Sequence, residues 1–119
     1  MQRCVSLVRS PNNRDGIKQA LSKAIDLIGF EPNHSVNTVV VKVNLCYYWN
    51  ASTGFTTDPR LVDVLIDYIR ETYGNDVDIK IAEADASAMR TKYAFPLLDY
   101  ARLAEQKKVE LFNLSEDVT

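Results

Sequence analysis

The chain has 119 residues, the size of one domain with a sizeable hydrophobic core, and its 46% apolar and 25% charged residues are typical of a soluble globular protein. A formal net charge of -2 gives no electrostatic reason to expect a nucleic acid or an acidic membrane as partner. No apolar run approaches the roughly 20 residues that span a bilayer, and the N-terminus is too poor in apolar residues for a signal peptide. We therefore expect a cytoplasmic protein, with residues 1–119 forming a single domain.

The first third of the chain predicts a strand, a turn and a helix. Residues 4–8 have the composition of a strand, and the Ser-Pro-Asn-Asn sequence at 10–13 ends it. Asn13 or Asp15 is placed to cap a helix that ends at Gly29. Its apolar positions follow helical spacing at Ile17, Ala20, Leu21, Ala24, Ile25 and Ile28.

The central stretch predicts a buried strand, a long loop and a helix. Residues 39–44 form a β-branched run interrupted by Lys42 and Asn44, which share one face because strand side chains alternate. Asp58 and Pro59 are typical of a helix start, and Gly74 of a helix end. The helix has an apolar stripe at Leu61, Val62, Leu65, Ile66, Ile69 and Tyr73. The intervening loop, of about a dozen residues, exceeds the usual two to six, and long loops at this position are usually functional.

The last third predicts a strand at residues 77–82, a helix beginning near Pro96 and a fourth strand at residues 109–112. Alternation of strands and helices predicts right-handed βαβ units. We therefore predict an α/β fold, a three-layer αβα sandwich with a mostly parallel sheet of about four strands in Rossmann-like or flavodoxin-like order. Ligands bind such folds outside the carboxyl ends of the strands, so we expect the site there.

Polar side chains collect at that predicted edge. Lys42 and Glu83 are the catalytic candidates, with Lys42 stabilising an anionic group and Glu83 handling protons. The alternative for this pair is a structural ion pair at the sheet edge. Asp85 lies two residues beyond Glu83 and is a candidate ligand for a divalent cation such as Mg²⁺; the alternative is a solvated acidic loop.

The loop after the second strand supplies the candidate ligand-binding residues. Asn44 either orients a ligand carbonyl or closes the turn. Thr56 and Thr57 precede the helix N-terminus, where exposed N–H groups favour anions, although Asp58 competes for the same donors. Trp49 belongs to the aromatic group Tyr47, Tyr48, Trp49 and Phe55, which either stacks on a flat ligand or packs on a partner.

Three segments together resemble a known family. Lys42-Val43-Asn44-Leu45, then 56-TTDP-59 opening a helix, then Ile81-Ala82-Glu83 ending a strand, resemble domain-of-unknown-function family 362. Members usually have proline at the position of Val43 and are longer, so the resemblance implies that residues 1–119 are either the N-terminal portion of a longer protein or a shortened form of one. Some relatives carry ferredoxin-like modules, but this chain has no Cys-x-x-Cys-x-x-Cys run, so no iron–sulfur cluster is carried over.

Two functional hypotheses follow. In the first, the carboxyl edge of the sheet binds or converts a small anionic molecule. In the second, the domain is a non-catalytic interaction module that docks through residues 47–55 onto a partner, a second subunit or a downstream domain. Cys4 and Cys46 are expected at opposite ends of neighbouring parallel strands, about 15 Å apart, and therefore as free thiols.

Overall fold

The computed structural model describes residues 3–32 and 35–117. In chain order, these residues form α1 (Arg14–Leu27), β1 (Thr38–Lys42), α2 (Pro59–Tyr73), β2 (Asp78–Glu83), α3 (Thr91–Leu97), α4 (Tyr100–Lys107) and β3 (Glu110–Asn113). Short 3-10 turns lie at Ala51–Thr53 and Leu114–Glu116. No described helix has the combination of length and apolar character that a membrane crossing requires.

The three strands pair in the order β1-β2-β3, and both pairings are parallel. Lys42 of β1 lies opposite Ala82 of β2, and Glu83 of β2 lies opposite Asn113 of β3. The carboxyl ends of the three strands therefore meet at one edge. The predicted α/β class with a parallel sheet is confirmed, with three strands in the described part of the chain rather than about four.

The missing fourth strand is the first one predicted. Residues 4–8 have no regular secondary structure and pair with no strand of the described chain, and Val5 and Leu7 are 95% and 94% exposed. Their only recorded attachment is a hydrogen bond of 2.8 Å from the Ser6 hydroxyl to the Ala24 carbonyl of α1. The prediction of a strand at residues 4–8 was wrong, because strand-forming composition produces a strand only where a neighbouring strand offers an edge to pair with.

One core holds the domain together. It lies between one face of the sheet and the helices, and its most buried members include Leu45, Ile66, Ile81 and Tyr100. Side chains of β1 alternate, so Val41 enters this core while Val40 is 57% exposed on the opposite face. The second helical layer of the predicted sandwich does not cover that face of β1.

The helix starts follow local chemistry. The Asn13 side chain caps α1 by accepting from the Gly16 N–H, and Asp58 caps α2 by accepting from the Arg60 N–H, with Pro59 in the first turn. Both caps match predicted candidates. The capping role considered for Asp58 is confirmed.

The third predicted helix is two helices. It begins at Thr91 rather than near Pro96, and a break at Leu98 and Asp99 separates α3 from α4. Proline has no N–H and its ring obstructs the preceding turn, so a helix containing Pro96 ends soon after it. Asp99 has a φ of 68°, in the left-handed region, and redirects the chain into α4.

Candidate functional site

Glu83 forms the centre of the carboxyl edge. Its side chain is almost completely buried at the end of β2. Oε2 accepts from the Leu45 N–H at 2.5 Å, while Oε1 accepts from the Ala84 N–H at 2.9 Å and lies 2.6 Å from Lys42 Nζ. Both oxygens are therefore engaged, and the carboxylate ties the loop after β1 to the end of β2.

Lys42 approaches this carboxylate from the end of β1. Its ammonium also donates to the Val43 carbonyl at 2.6 Å, yet the side chain remains 51% exposed. The predicted meeting of Lys42 and Glu83 at one rim of a parallel sheet is confirmed. The pair combines a buried anion with a cation that still faces water.

The loop after β1 is closed at its base. The Asn44 N–H donates to Thr57 Oγ1 at 2.9 Å, and the Thr57 N–H donates to the Asn44 carbonyl at 3.0 Å. Leu45 and Thr56 form an antiparallel bridge just inside, and the Thr56 hydroxyl donates to the Trp49 carbonyl at 2.7 Å. The backbone of Asn44 and the hydroxyl groups of Thr56 and Thr57 thus shape the loop, whereas the turn closure considered for Asn44 was through its side chain, whose oxygen instead accepts from the Cys46 thiol.

Tyr100 supports the same loop from below. Its hydroxyl donates to the Thr57 carbonyl at 2.6 Å, and the residue is fully buried. Burial raises the pKa of Tyr100 above its ordinary range, and the nearby charges of Asp58 and Glu83 add to the effect. Sequence reasoning missed this residue, because nothing in the sequence places the first residue of α4 beneath a loop more than 40 positions earlier.

The loop carries a chain of aromatic rings, here called the aromatic ladder: Tyr48, Tyr47, Trp49 and Phe55. Successive ring centroids lie 5.2, 5.3 and 5.2 Å apart at tilts of 50–56°, an arrangement that aromatic pairs favour. Tyr47, Trp49 and Phe55 are 40%, 46% and 63% exposed. Tyr48 instead packs against the core, and its hydroxyl accepts from the Arg90 N–H. The ladder is therefore fixed at one end and open to solvent at the other.

Asp85 turns toward the start of α3. Its Oδ1 accepts from the Thr91 N–H at 2.8 Å, and its Oδ2 lies 3.4 Å from Arg90 Nη1. The backbone hydrogen bond from Thr91, helped by Arg90, holds the pKa of Asp85 below its ordinary value. Across residues 3–32 and 35–117, no three His, Cys, Asp or Glu side chains gather as a metal-binding group.

A cavity of about 750 Å³ lies on the other side of the loop, toward α4. Thr56 contributes to its wall, but Lys42 and Glu83 do not. The Arg60 guanidinium on this wall is held by the Asp58 carboxylate and by Asn12. The polar lining of the cavity includes Asn50, Ser52, Asp58, Arg60, Asp99 and Arg102. Sequence patterns do not predict this cavity, because α4 and the loop are distant in the chain and meet only in the fold.

Cys4 and Cys46 are both free and exposed, as predicted. The Cys46 thiol donates to the Asn44 side-chain oxygen at 3.0 Å.

Fold and edge together define an α/β domain with a parallel sheet and a polar carboxyl rim flanked by an aromatic loop. A family model, described as domain of unknown function DUF362, matches residues 39–119. The chain belongs to this family. No curated protein and no solved structure matches the chain.

Proposed function

We propose that the carboxyl edge of the sheet binds a small anionic molecule with a flat apolar part. The observation that carries the proposal is that the half-exposed side chain of Lys42 and an exposed aromatic ladder emerge from the end of the same strand. The ammonium attracts the anionic group, and the faces of Trp49 and Tyr47 take the flat part. Small-molecule sites combine an apolar surface with a few fixed polar groups in this way.

Each remaining site residue has a role in this proposal. Glu83 fixes Lys42 and the Leu45 backbone, so the ammonium is held in place before the ligand arrives. Asn44 and Thr57 close the base of the loop that presents Trp49. For a ligand that is also a substrate, Lys42 stabilises its anionic group, and Glu83, whose two oxygens are already engaged, acts by holding Lys42 in position.

Trp49 is the only tryptophan of the chain and reports binding directly. Its fluorescence is followed while the protein is titrated with benzoate and with phenyl phosphate. We expect saturable quenching that Lys42→Ala weakens by about tenfold or more, because hydrogen bonds to charged groups contribute about 1.5–3 kcal/mol.

Lys80→Ala is the matched control, since Lys80 is a lysine of the same sheet already paired with Asp78 and Glu110. Equal binding by the two variants, or no quenching by either compound, refutes the proposal.

The same titration with Mg²⁺ alone tests the predicted metal role of Asp85. A site built on this carboxylate gives a saturable response that Asp85→Asn abolishes. A response that survives this substitution rules out Asp85 as the ligand.

The exposure of Phe55 favours a second candidate, docking of the aromatic ladder onto an apolar segment of a partner protein. At 63% it is the most exposed member of the ladder, and such exposed rings are frequent at protein interfaces. Selection from a displayed peptide library should enrich apolar peptides that lose binding to Phe55→Ser. Leu97→Ser, at a leucine that is 66% exposed on α3, is the matched control. Enriched peptides that bind both variants equally eliminate this candidate.

The two exposed free thiols support a reducing compartment, and we propose the cytoplasm. To test this location, cells are lysed into acid, which stops thiol exchange, and the cysteines are then labelled at neutral pH without prior reduction. Labelling of both Cys4 and Cys46 supports the proposed location, and absence of labelling contradicts it.

A further inference from the structure

Among residues 3–32 and 35–117, no strand pairs with the outer edge of β1. The inner edge of β1 pairs with β2 through alternate residues: the Val43 N–H donates to the Ala82 carbonyl, and the Asn37 carbonyl accepts from the Asp78 N–H. In a parallel ladder, odd-numbered residues from Asn37 to Val43 therefore bond to β2, and the even-numbered residues direct both their N–H and C=O groups away from β2. The N–H and C=O of Val40 therefore point away from β2, toward the open edge.

A second unpaired element lies in the same chain. Residues 3–9, here called the N-terminal segment, belong to no helix or strand, and no backbone hydrogen bond joins them to the rest of the described chain. Their exposure alternates, with Val5 and Leu7 almost fully exposed and Ser6 and Val8 partly covered. This is the pattern of a strand that has one face supported and two free edges.

We propose that two copies of this chain associate by pairing the N-terminal segment of one copy with the β1 edge of the other. Unpaired strands and open edges are templates for each other, and a two-fold axis makes the contact reciprocal. The N-terminal segment is long enough to run along the whole of β1, since at strand spacing its seven residues span about 23 Å and the five residues of β1 span about 16 Å. The segment keeps its bond to α1, so neither copy has to unfold.

The exposed apolar side chains fix the face of this pairing. Val40 is 57% exposed on the sheet face opposite the core, and a strand placed beside it brings Val5 and Leu7 onto the same face. Burying a valine or leucine removes about 60–120 Å² of apolar area, so two copies of Val5 and Leu7 remove about 240–480 Å². Stable interfaces bury about 1,200–2,000 Å² in total. The dimer is therefore weak, and its population depends on protein concentration.

Val40→Pro tests the edge directly. Proline removes the outward N–H of Val40 and leaves the N–H groups that pair with β2 intact, and edge strands tolerate proline in this orientation. Mass is measured by sedimentation velocity over a wide concentration range. We expect wild type to shift from monomer to dimer, Val40→Pro to remain a monomer, and the matched control Val40→Thr, which keeps the N–H, to dimerise as wild type does.

The double variant V5K/L7K tests the segment and does not depend on how β1 tolerates proline. Lysines at these positions should abolish dimerisation, whereas Leu27→Lys, on α1 at a residue that is 60% exposed, should not. Amide hydrogen exchange should show concentration-dependent protection at Val5, Leu7 and Val40. A monomer at every concentration overturns the proposal, and so does a dimer that survives both Val40→Pro and V5K/L7K. Protection that is independent of concentration means that the segment pairs within its own chain, which also overturns it.

Discussion

Replacement of Glu83 by alanine should destabilise the domain more than any other change at the carboxyl edge. The carboxylate accepts two backbone hydrogen bonds, from Leu45 and Ala84, and Leu45 is fully buried, so its N–H would lose its only acceptor without gaining water. Hydrogen bonds to charged groups contribute about 1.5–3 kcal/mol each, which gives about 3–6 kcal/mol for the two. The Lys42 contact adds only about 0–1 kcal/mol, because the Lys42 side chain is half exposed.

We therefore expect Glu83→Ala to lower the free energy of unfolding by about 3–7 kcal/mol, a large part of the total of about 5–15 kcal/mol typical of a domain. For a chain of 119 residues this corresponds to a fall in Tm of about 10–30 °C. Urea unfolding followed by circular dichroism measures it, with an unchanged m-value showing that the unfolded state is the same.

Lys42→Ala is the control that separates the two partners. It removes the ion pair and leaves both backbone hydrogen bonds to Glu83, so its cost should be about 1 kcal/mol or less. The reasoning fails if Glu83→Ala lies within about 1 kcal/mol of wild type, or if Lys42→Ala costs as much as Glu83→Ala.

Three further predictions concern the rest of the domain. Tyr100→Phe leaves the Thr57 carbonyl without its donor and should lower the free energy of unfolding, measured in urea, by about 1–2 kcal/mol. Because the folded-state pKa of Tyr100 is raised, the stability that Tyr100 contributes is complete below about pH 10 and is lost as pH rises, so the variant should lose less stability at alkaline pH than wild type does. Burial alone would raise the pKa of Asp63, but hydrogen bonds from Arg14 and Lys107 outweigh this effect, and the folded-state pKa of Asp63 is lowered. The stability that Asp63 contributes is therefore present above about pH 4 and is lost as pH falls. Asp63→Asn should flatten the acid limb of a stability-versus-pH curve, and an unchanged acid limb contradicts this reasoning. Ile66→Ala empties a fully buried position on α2 and should cost about 2–5 kcal/mol, with a cost below about 1 kcal/mol showing that the core can collapse around the gap.

The carboxyl edge shows how far local pattern extends. Lys42 and Glu83 were expected to meet because each ends a strand and parallel strands end together, and they lie 2.6 Å apart. The pattern did not reveal that Glu83 also accepts from the Leu45 backbone, since that contact depends on how the loop folds back. The interpretation of Glu83 consequently changes from a group free to act on a ligand to one that holds Lys42 and the loop in position.

Local chemistry in the sequence determined the caps at Asn13 and Asp58, three strands and the shared rim, because helix starts and strand ends depend on neighbouring residues. Only the tertiary structure decided whether residues 4–8 joined the sheet, where Tyr100 placed its hydroxyl and how the aromatic rings stacked. Each of these depends on contacts between residues distant in sequence, and a strand, unlike a capped helix, has no hydrogen-bonding partners of its own until another strand supplies them.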